Sequence, residues 1–155
     1  MPSVIHSTFT IEKSYPVSPE RVFSAFSNST QKRKWHGESR GMAVEEFAMD
    51  FRVGGHDRYQ LRFLEGTPFP GTAIVNDTTY QDIVPNQRIV YAYTMTLGDN
   101  RMSASLATFE FVPTEQGTTL IFTDQGAFFE GSDGPAMRED GWRKLLDRLA
   151  AALAR

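Results

Sequence analysis

Residues 135–154 read PAMREDGWRKLLDRLAAALA and carry the longest regular pattern in the chain. The bulky apolar residues recur at spacings of three and four, the period of an α-helix with one buried face. They form a single stripe of Trp142, Leu145, Leu146, Leu149 and Leu153. The charged residues lie mainly off that stripe, at Arg138, Glu139, Arg143, Lys144 and Arg148. The pattern predicts one amphipathic helix of about 20 residues, roughly 30 Å long, with Ser132 or Asp133 as its N-cap.

Upstream of this helix the sequence predicts seven strands. Apolar or aromatic residues alternate with polar ones in most of them, although the second also has a helix-like pattern. The predicted strands are residues 8–15, 42–52, 56–64, 73–83, 88–97, 102–112 and 118–125. Short turns join the last six strands, and Gly54-Gly55 is typical of a hairpin turn, so we expect an antiparallel sheet.

Two short helices are predicted between the first two strands. Ser18 is a suitable N-cap and Pro19 suits the first helical position of one of them. The other is expected over residues 30–35, with Thr30 as its cap. The C-terminal helix is then the only element long enough to cover the inner face of the sheet, which makes an α+β fold.

Composition excludes several classes of function. The chain has 155 residues and a net charge of −3, with 40% hydrophobic and 23% charged residues. These values predict one globular domain over residues 1–155, and the mild acidity argues against a nucleic-acid partner. The chain has no cysteine, which excludes disulfides and fits a reducing cytoplasm. The N-terminus lacks a signal-peptide pattern and no apolar run could span a membrane, so we expect a cytoplasmic location.

Several motifs, in the same order along nearly the whole chain, resemble one known superfamily. They are PVSPERVF at 16–23, KW at 34–35, RVGG at 52–55, DIVPNQRIVY at 82–91, GTTL at 117–120, GW at 141–142 and LLDRL at 145–149. The chain resembles the START-like or SRPBCC proteins, the polyketide-cyclase/Bet v 1-like superfamily. Within it, the chain is most similar to the branch related to the C-terminal domain of the Hsp90 ATPase activator. The resemblance implies a helix-grip fold, in which a curved antiparallel sheet wraps around a long C-terminal helix.

The resemblance also implies a ligand cavity between the sheet and the long helix. Mapped onto this sequence, the ligand-binding candidates are Trp35, Phe47, Tyr59, Tyr91, Tyr93, Phe109, Phe111, Phe122, Asp124, Phe128, Trp142 and Leu145. The alternative is that these aromatic side chains simply fill the core, as buried aromatics usually do. A cavity also needs inward polar groups, which Tyr91, Tyr93, Asp124 and Gln125 are placed to supply.

Asp124 is the most interesting carboxylate. It has the same strand parity as Leu120 and Phe122, so its side chain is predicted to point inward. A buried carboxylate needs a partner, for which we expect an arginine or a backbone amide. A structural hydrogen-bonding role is favoured over a catalytic one, and no catalytic residue is assigned. The other strand carboxylates, Glu45, Glu46 and Asp50, are assigned to the solvated face or edge of the sheet.

Other motifs carry no predicted chemistry. GESRG at 37–41 matches the G-x-S-x-G pattern, but a nucleophile elbow needs a strand before the serine and a helix after it, and the predicted order is the reverse. His6, His36 and His56 lack the spacing of metal ligands and are expected at the surface or in caps. The basic run at 32–34 is expected on a solvated face. We predict neither a metal nor a cofactor.

The sequence leaves three functions open. The first is binding of a small hydrophobic or amphipathic molecule in the cavity. The second is an enzyme of cyclase, dehydratase or hydrolase type that uses the same cavity. The third, ranked below the binding function, is interaction with an Hsp90-type chaperone by analogy with the family namesake. A homodimer, formed through the first strand or the loop at 68–70, is also left open.

Overall fold

The computed structural model of the protein describes residues 3–154, which form one seven-stranded antiparallel sheet and its covering helices. Residues 1, 2 and 155 of the predicted domain lie outside the described part. The strands are β1 (Ile5–Tyr15), β2 (Met42–Ala48), β3 (His56–Phe63), β4 (Ala73–Val84), β5 (Arg88–Leu97), β6 (Asn100–Thr114) and β7 (Gly117–Phe128). Their order across the sheet is β1-β7-β6-β5-β4-β3-β2, so β1 and β2 are the two edges.

Two helices and a π-helical turn lie between β1 and β2, and one long helix follows β7. They are α1 (Pro19–Ser27), α2 (Ser29–Lys32), the π turn (Arg33–Gly37) and α3 (Pro135–Leu153). The predicted α+β helix-grip fold is confirmed. The second predicted helix, over residues 30–35, is only partly α-helical, because its last three residues belong to the π turn.

The helix caps follow the predictions in part. Ser18 caps α1 as predicted, since its hydroxyl accepts a hydrogen bond from the Arg21 N–H at 3.2 Å. Asn28 rather than Thr30 caps α2. The predicted cap of α3 is wrong, since Gly134 is the N-cap and has no side chain to make a cap bond. The Asp133 carboxylate binds Arg138 instead, and the Ser132 hydroxyl accepts from the N–H of Gly134.

The connection between β2 and β3 is longer than the predicted hairpin. β2 ends at Ala48, and the Asp50 N–H donates to the carboxylate of Asp57 at 2.9 Å instead of continuing the strand ladder. Gly54 has a φ of +82°, which suits glycine. A Cβ on Gly55 would lie 2.0 Å from the Asp50 carbonyl oxygen, so this loop packs too closely for any other residue there.

The core lies between the sheet and two helices. Trp142 of α3 packs on Phe122, with ring centroids 4.4 Å apart, and Phe122 stacks on Phe109 at 4.6 Å. From α1, Phe26 contacts both Phe109 and Phe111. The apolar stripe of α3 is buried as predicted, with Leu145 partly exposed. Within residues 3–154, no helix is both long and apolar enough to cross a membrane.

Candidate functional site

A partly open cavity of about 250 Å³ lies between α3, the π turn and strands β2 to β5. The sheet contributes mainly Tyr59, Leu61, Phe63, Ile74, Tyr93 and Met95. From α3 come Met137, Arg138, Gly141, Trp142, Leu145 and Arg148. Most of this wall is apolar. Its polar or charged side chains are His36, Ser39, Asn76, Tyr93, Asp133, Arg138 and Arg148.

One helical position on the cavity wall carries no side chain. Gly141 of α3 is exposed on this wall, and a Cβ placed there would meet no atom within 4 Å. At the π turn, Trp35 is fully buried in the core while the next residue, His36, lies on the cavity wall. A π turn adds a residue to a helical turn and is often found at functional sites.

One wall group, Tyr93, is held by a buried polar cluster. Its hydroxyl donates to Asp124 at 2.5 Å and accepts from the Trp142 indole N–H at 3.2 Å. Arg138 approaches the same hydroxyl at 3.4 Å and binds Asp133 and Ser103. The inward orientation predicted for Asp124 is confirmed, but its partner is a tyrosine rather than an arginine or a backbone amide. Burial raises the pKa of Asp124, while the bond from Tyr93 and the charge of Arg138 oppose that rise.

Asp57 organises a second buried cluster behind the wall. Its carboxylate accepts hydrogen bonds from the hydroxyls of Tyr59, at 2.9 Å, and Tyr80. Lys32 lies 3.7 Å from the same carboxylate and 5.2 Å from the centre of the Tyr59 ring. Burial lowers the pKa of Lys32 from 10.5 to about 8, although the charge of Asp57 acts in the opposite direction.

Two predictions about basic residues are therefore wrong. The sequence predicts Lys32 on a solvated face with its neighbours, but only 2% of it is exposed, because its side chain reaches the buried Asp57 carboxylate of β3. Arg138 was placed mainly off the helix stripe, yet it is 5% exposed and packs over the Phe128 ring at 5.0 Å. Asp57 shares the inward parity of Tyr59 in β3, and that signal could have revealed the Lys32 site.

The expectation of surface histidines is wrong for His36. This residue is 9% exposed, and its ring lies 5.3 Å from Tyr59 and 5.6 Å from Trp142. Its Nδ1 has no hydrogen-bond partner within residues 3–154. Burial, and then the charges of Lys32 and Arg148, hold the pKa of His36 well below its usual value, so the ring is neutral near pH 7. His56 is exposed as expected and lies 3.2 Å from Asp77.

Four of the twelve predicted ligand-binding residues lie on the cavity wall: Tyr59, Tyr93, Trp142 and Leu145. Phe47 stacks on Tyr59, with ring centroids 4.2 Å apart. The other seven are buried away from the wall: Trp35, Tyr91, Phe109, Phe111, Phe122, Asp124 and Phe128. The helices close over β6 and β7 and pack against those rings, so the open space remains over β3, β4 and β5.

The cavity also includes residues that the sequence analysis missed. Leu61 and Phe63 have the same strand parity as Tyr59, and Met95 has the parity of Tyr93. Alternation could have identified these residues, because each shares its strand parity with a residue that the sequence does predict on the wall. Ser39 of the G-x-S-x-G match lies on the wall, yet the π turn precedes it and β2 follows, so the nucleophile-elbow context is absent there. Among residues 3–154, no group of three or more His, Asp or Glu side chains is arranged to hold a metal ion.

The helix-grip fold with a cavity under its long helix defines a member of the START-like superfamily. The model of the family described as Activator of Hsp90 ATPase homolog 1-like protein matches residues 16–154. The chain belongs to this family.

Solved structures show the same fold. A protein from Rhizobium leguminosarum is 38% identical, with a TM-score of 0.87 and coverage of 100% of this chain and 99% of that one. The Mll3558 protein from Rhizobium loti is 49% identical, with a TM-score of 0.85 and coverage of 97% and 99%. The AHSA1-like protein from Aeromonas hydrophila is similar in fold at 17% identity, with a TM-score of 0.68 and coverage of 96% and 92%. No curated protein matches the chain.

Proposed function

We propose that the protein binds a small hydrophobic or amphipathic molecule in the cavity between the sheet and α3. The observation that carries this proposal is the apolar, partly open cavity with Gly141 at its helix wall. Glycine inside a helix costs about 1 kcal/mol relative to alanine. Gly141 is a solvent-exposed part of the cavity wall, and a glycine there leaves free the space that any other side chain would take up, which supports a role for the open space.

The size and lining of the cavity define the class of ligand. Its volume of about 250 Å³ lies just below the range of roughly 300–1,000 Å³ typical of drug-sized ligands. Apolar side chains such as Leu61, Ile74 and Leu145 supply most of the wall, while Tyr93 and His36 supply polar contacts. This combination supports a ligand of modest size with one or two polar groups.

The geometry favours binding over catalysis. His36 is neutral and lies on the wall, which are two requirements of a general base. A catalytic histidine is normally oriented by a partner on its other ring nitrogen, and Nδ1 of His36 has no such partner within residues 3–154. An Hsp90-type partner has the family description as its only support, so we do not propose it.

Filling the cavity from Gly141 tests the proposal. We expect octanol, a small amphipathic probe, to bind the wild-type protein in isothermal titration calorimetry and to change the fluorescence of Trp142. In Gly141→Leu a bulky side chain replaces hydrogen on the exposed part of the cavity wall and should narrow the cavity, so octanol affinity should fall by about tenfold or more, as expected when roughly 1.4 kcal/mol of contact is lost.

A matched control separates blocking from general damage to the helix. Ala151→Leu adds the same kind of bulk on the exposed side of α3 and should bind octanol like the wild type. Equal octanol binding by Gly141→Leu and the wild type, with both proteins folded, would contradict the proposal. Native mass spectrometry of freshly purified protein would identify a molecule that co-purifies.

A further inference from the structure

We propose that the ligand of this cavity carries an anionic group, in the simplest case a carboxylate, that pairs with Arg148. This inference rests on the proposed function and specifies the chemistry of the guest. It follows from the way the two arginines on the cavity wall are partnered.

Arg138 is already neutralised by the protein. Its guanidinium binds the Asp133 carboxylate through Nε at 2.8 Å and through a second nitrogen at 2.9 Å, and it also donates to the Ser103 hydroxyl at 2.8 Å. Asp133 lies on the cavity wall as well. This end of the cavity therefore combines one positive and one negative charge and presents no net charge to a guest.

Arg148 has no such partner. It is half-buried on the wall, and its Nε donates to the Trp35 carbonyl oxygen at 3.1 Å. No carboxylate within residues 3–154 forms an ion pair with it. A partly buried charge that lacks a counter-charge is unfavourable, and a bound anion would supply both the charge and the acceptors for its free N–H groups.

The charge balance of the wall favours an anion. The charges of Arg138 and Asp133 cancel, and His36 is neutral. Arg148 is therefore the unbalanced charge on the part of the wall that residues 3–154 form. Such a site attracts an anionic head group, disfavours a cationic one, and leaves a neutral one without the gain of an ion pair.

The position of Arg148 also fits an amphipathic shape. It lies about eleven residues along α3 from Met137, which is roughly 16 Å at 1.5 Å per residue. Gly141 and Leu145 line the wall between them. His36, next to the Trp35 carbonyl that Arg148 binds, offers a neutral imidazole to the same head group. A carboxylate at Arg148 would leave its hydrocarbon chain along the apolar wall toward Met137.

Octanoate and octanol test the inference, because they share the same chain and differ in the head group. We expect the wild type at neutral pH to bind octanoate about tenfold more tightly than octanol in calorimetry, as one charge-assisted hydrogen-bond pair predicts. Arg148→Gln should lose the preference and bind octanoate and octanol with equal affinity. Arg148→Met, which keeps the apolar stem, is the second variant if Arg148→Gln does not fold.

Arg143→Gln is the matched control. Arg143 lies on the same helix but is exposed and paired with Glu139 at 2.8 Å, so its loss should leave the octanoate preference intact. Equal binding of octanol and octanoate by the wild type would overturn this inference and leave the proposed function standing. A preference that survives in the Arg148 variants would also overturn it. Absence of binding by both molecules would overturn the proposed function too.

Discussion

Single side chains affect both the stability of the protein and the open volume of the cavity. At Gly141 the two effects oppose each other, because a larger residue would stabilise the helix and reduce the open space. Gly141 lies inside α3 with open space on its Cβ side. Gly141→Ala should stabilise the protein by about 0.5–1 kcal/mol, because alanine has less backbone freedom to lose on folding. Urea unfolding followed by circular dichroism measures the change. A drop in stability would show that α3 has no room for a methyl group at this position.

Tyr93 is the second position at which one group has a large effect. Tyr93→Phe removes the hydroxyl that serves Asp124 and Trp142, and both would remain buried without that bond. We expect a loss of about 1–3 kcal/mol in the free energy of unfolding, measured in the same urea experiment.

Tyr91→Phe is the matched control for that prediction. Tyr91 is buried two positions away on β5, and no hydrogen bond of its hydroxyl contributes to its raised pKa. Its replacement should change stability far less. Equal losses in the two variants would show that the Tyr93 hydroxyl has no special structural role.

At the level of elements, α2 is attached to β3 and β4 through Lys32, and this attachment should respond to pH. The folded protein holds the pKa of Lys32 near 8, whereas the unfolded chain has the ordinary value of 10.5. Between these values the unfolded state binds more protons than the folded state, so stability should rise as pH increases above 8. Above pH 10 the tyrosines act in the opposite direction, since burial raises the pKa of Tyr59, Tyr80 and Tyr93 in the folded state.

Lys32→Met provides the measurement. The free energy of unfolding, determined by urea titration from pH 7 to pH 10, should rise in the wild type and be flatter in the variant. The slope is the diagnostic quantity, because the variant also leaves the Asp57 carboxylate without its cation and so changes stability at every pH. A wild-type slope that persists in Lys32→Met would assign the titration to another group.

At the level of the whole molecule, the fold was predictable because its signals are local. Strand alternation, turn residues and the stripe of α3 each depend on neighbouring residues, and together they define a sheet covered by one helix. The cavity was not predictable in the same way. Alternation shows that Phe109 and Tyr93 both point inward, but only the placement of the helices decides that one is covered and the other lines open space.

The burial and the partners of the charged groups could not be predicted from local sequence patterns either. Lys32 sits in a basic run that looks solvated, and its partner Asp57 lies on a different element. The sequence pattern makes Arg148 look like a surface residue of an amphipathic helix. The structure instead places it on the cavity wall, with its Nε donating a hydrogen bond to the Trp35 carbonyl oxygen.

The expectation of a homodimer stays a prediction. Both expected contact regions are exposed, with Ile5 at 54% and Phe69 at 52%.

Three methionines, Met42, Met95 and Met137, stand around the cavity. Thioether side chains are unbranched and polarisable, and they change conformation at low cost to follow the outline of whatever lies against them. If the pocket binds a hydrocarbon guest as proposed, such a wall would tolerate skeletons of many outlines, whether straight, branched or cyclic. Discrimination among cellular metabolites would then depend on the polar end of the molecule, and one protein could serve a chemical series rather than a single compound.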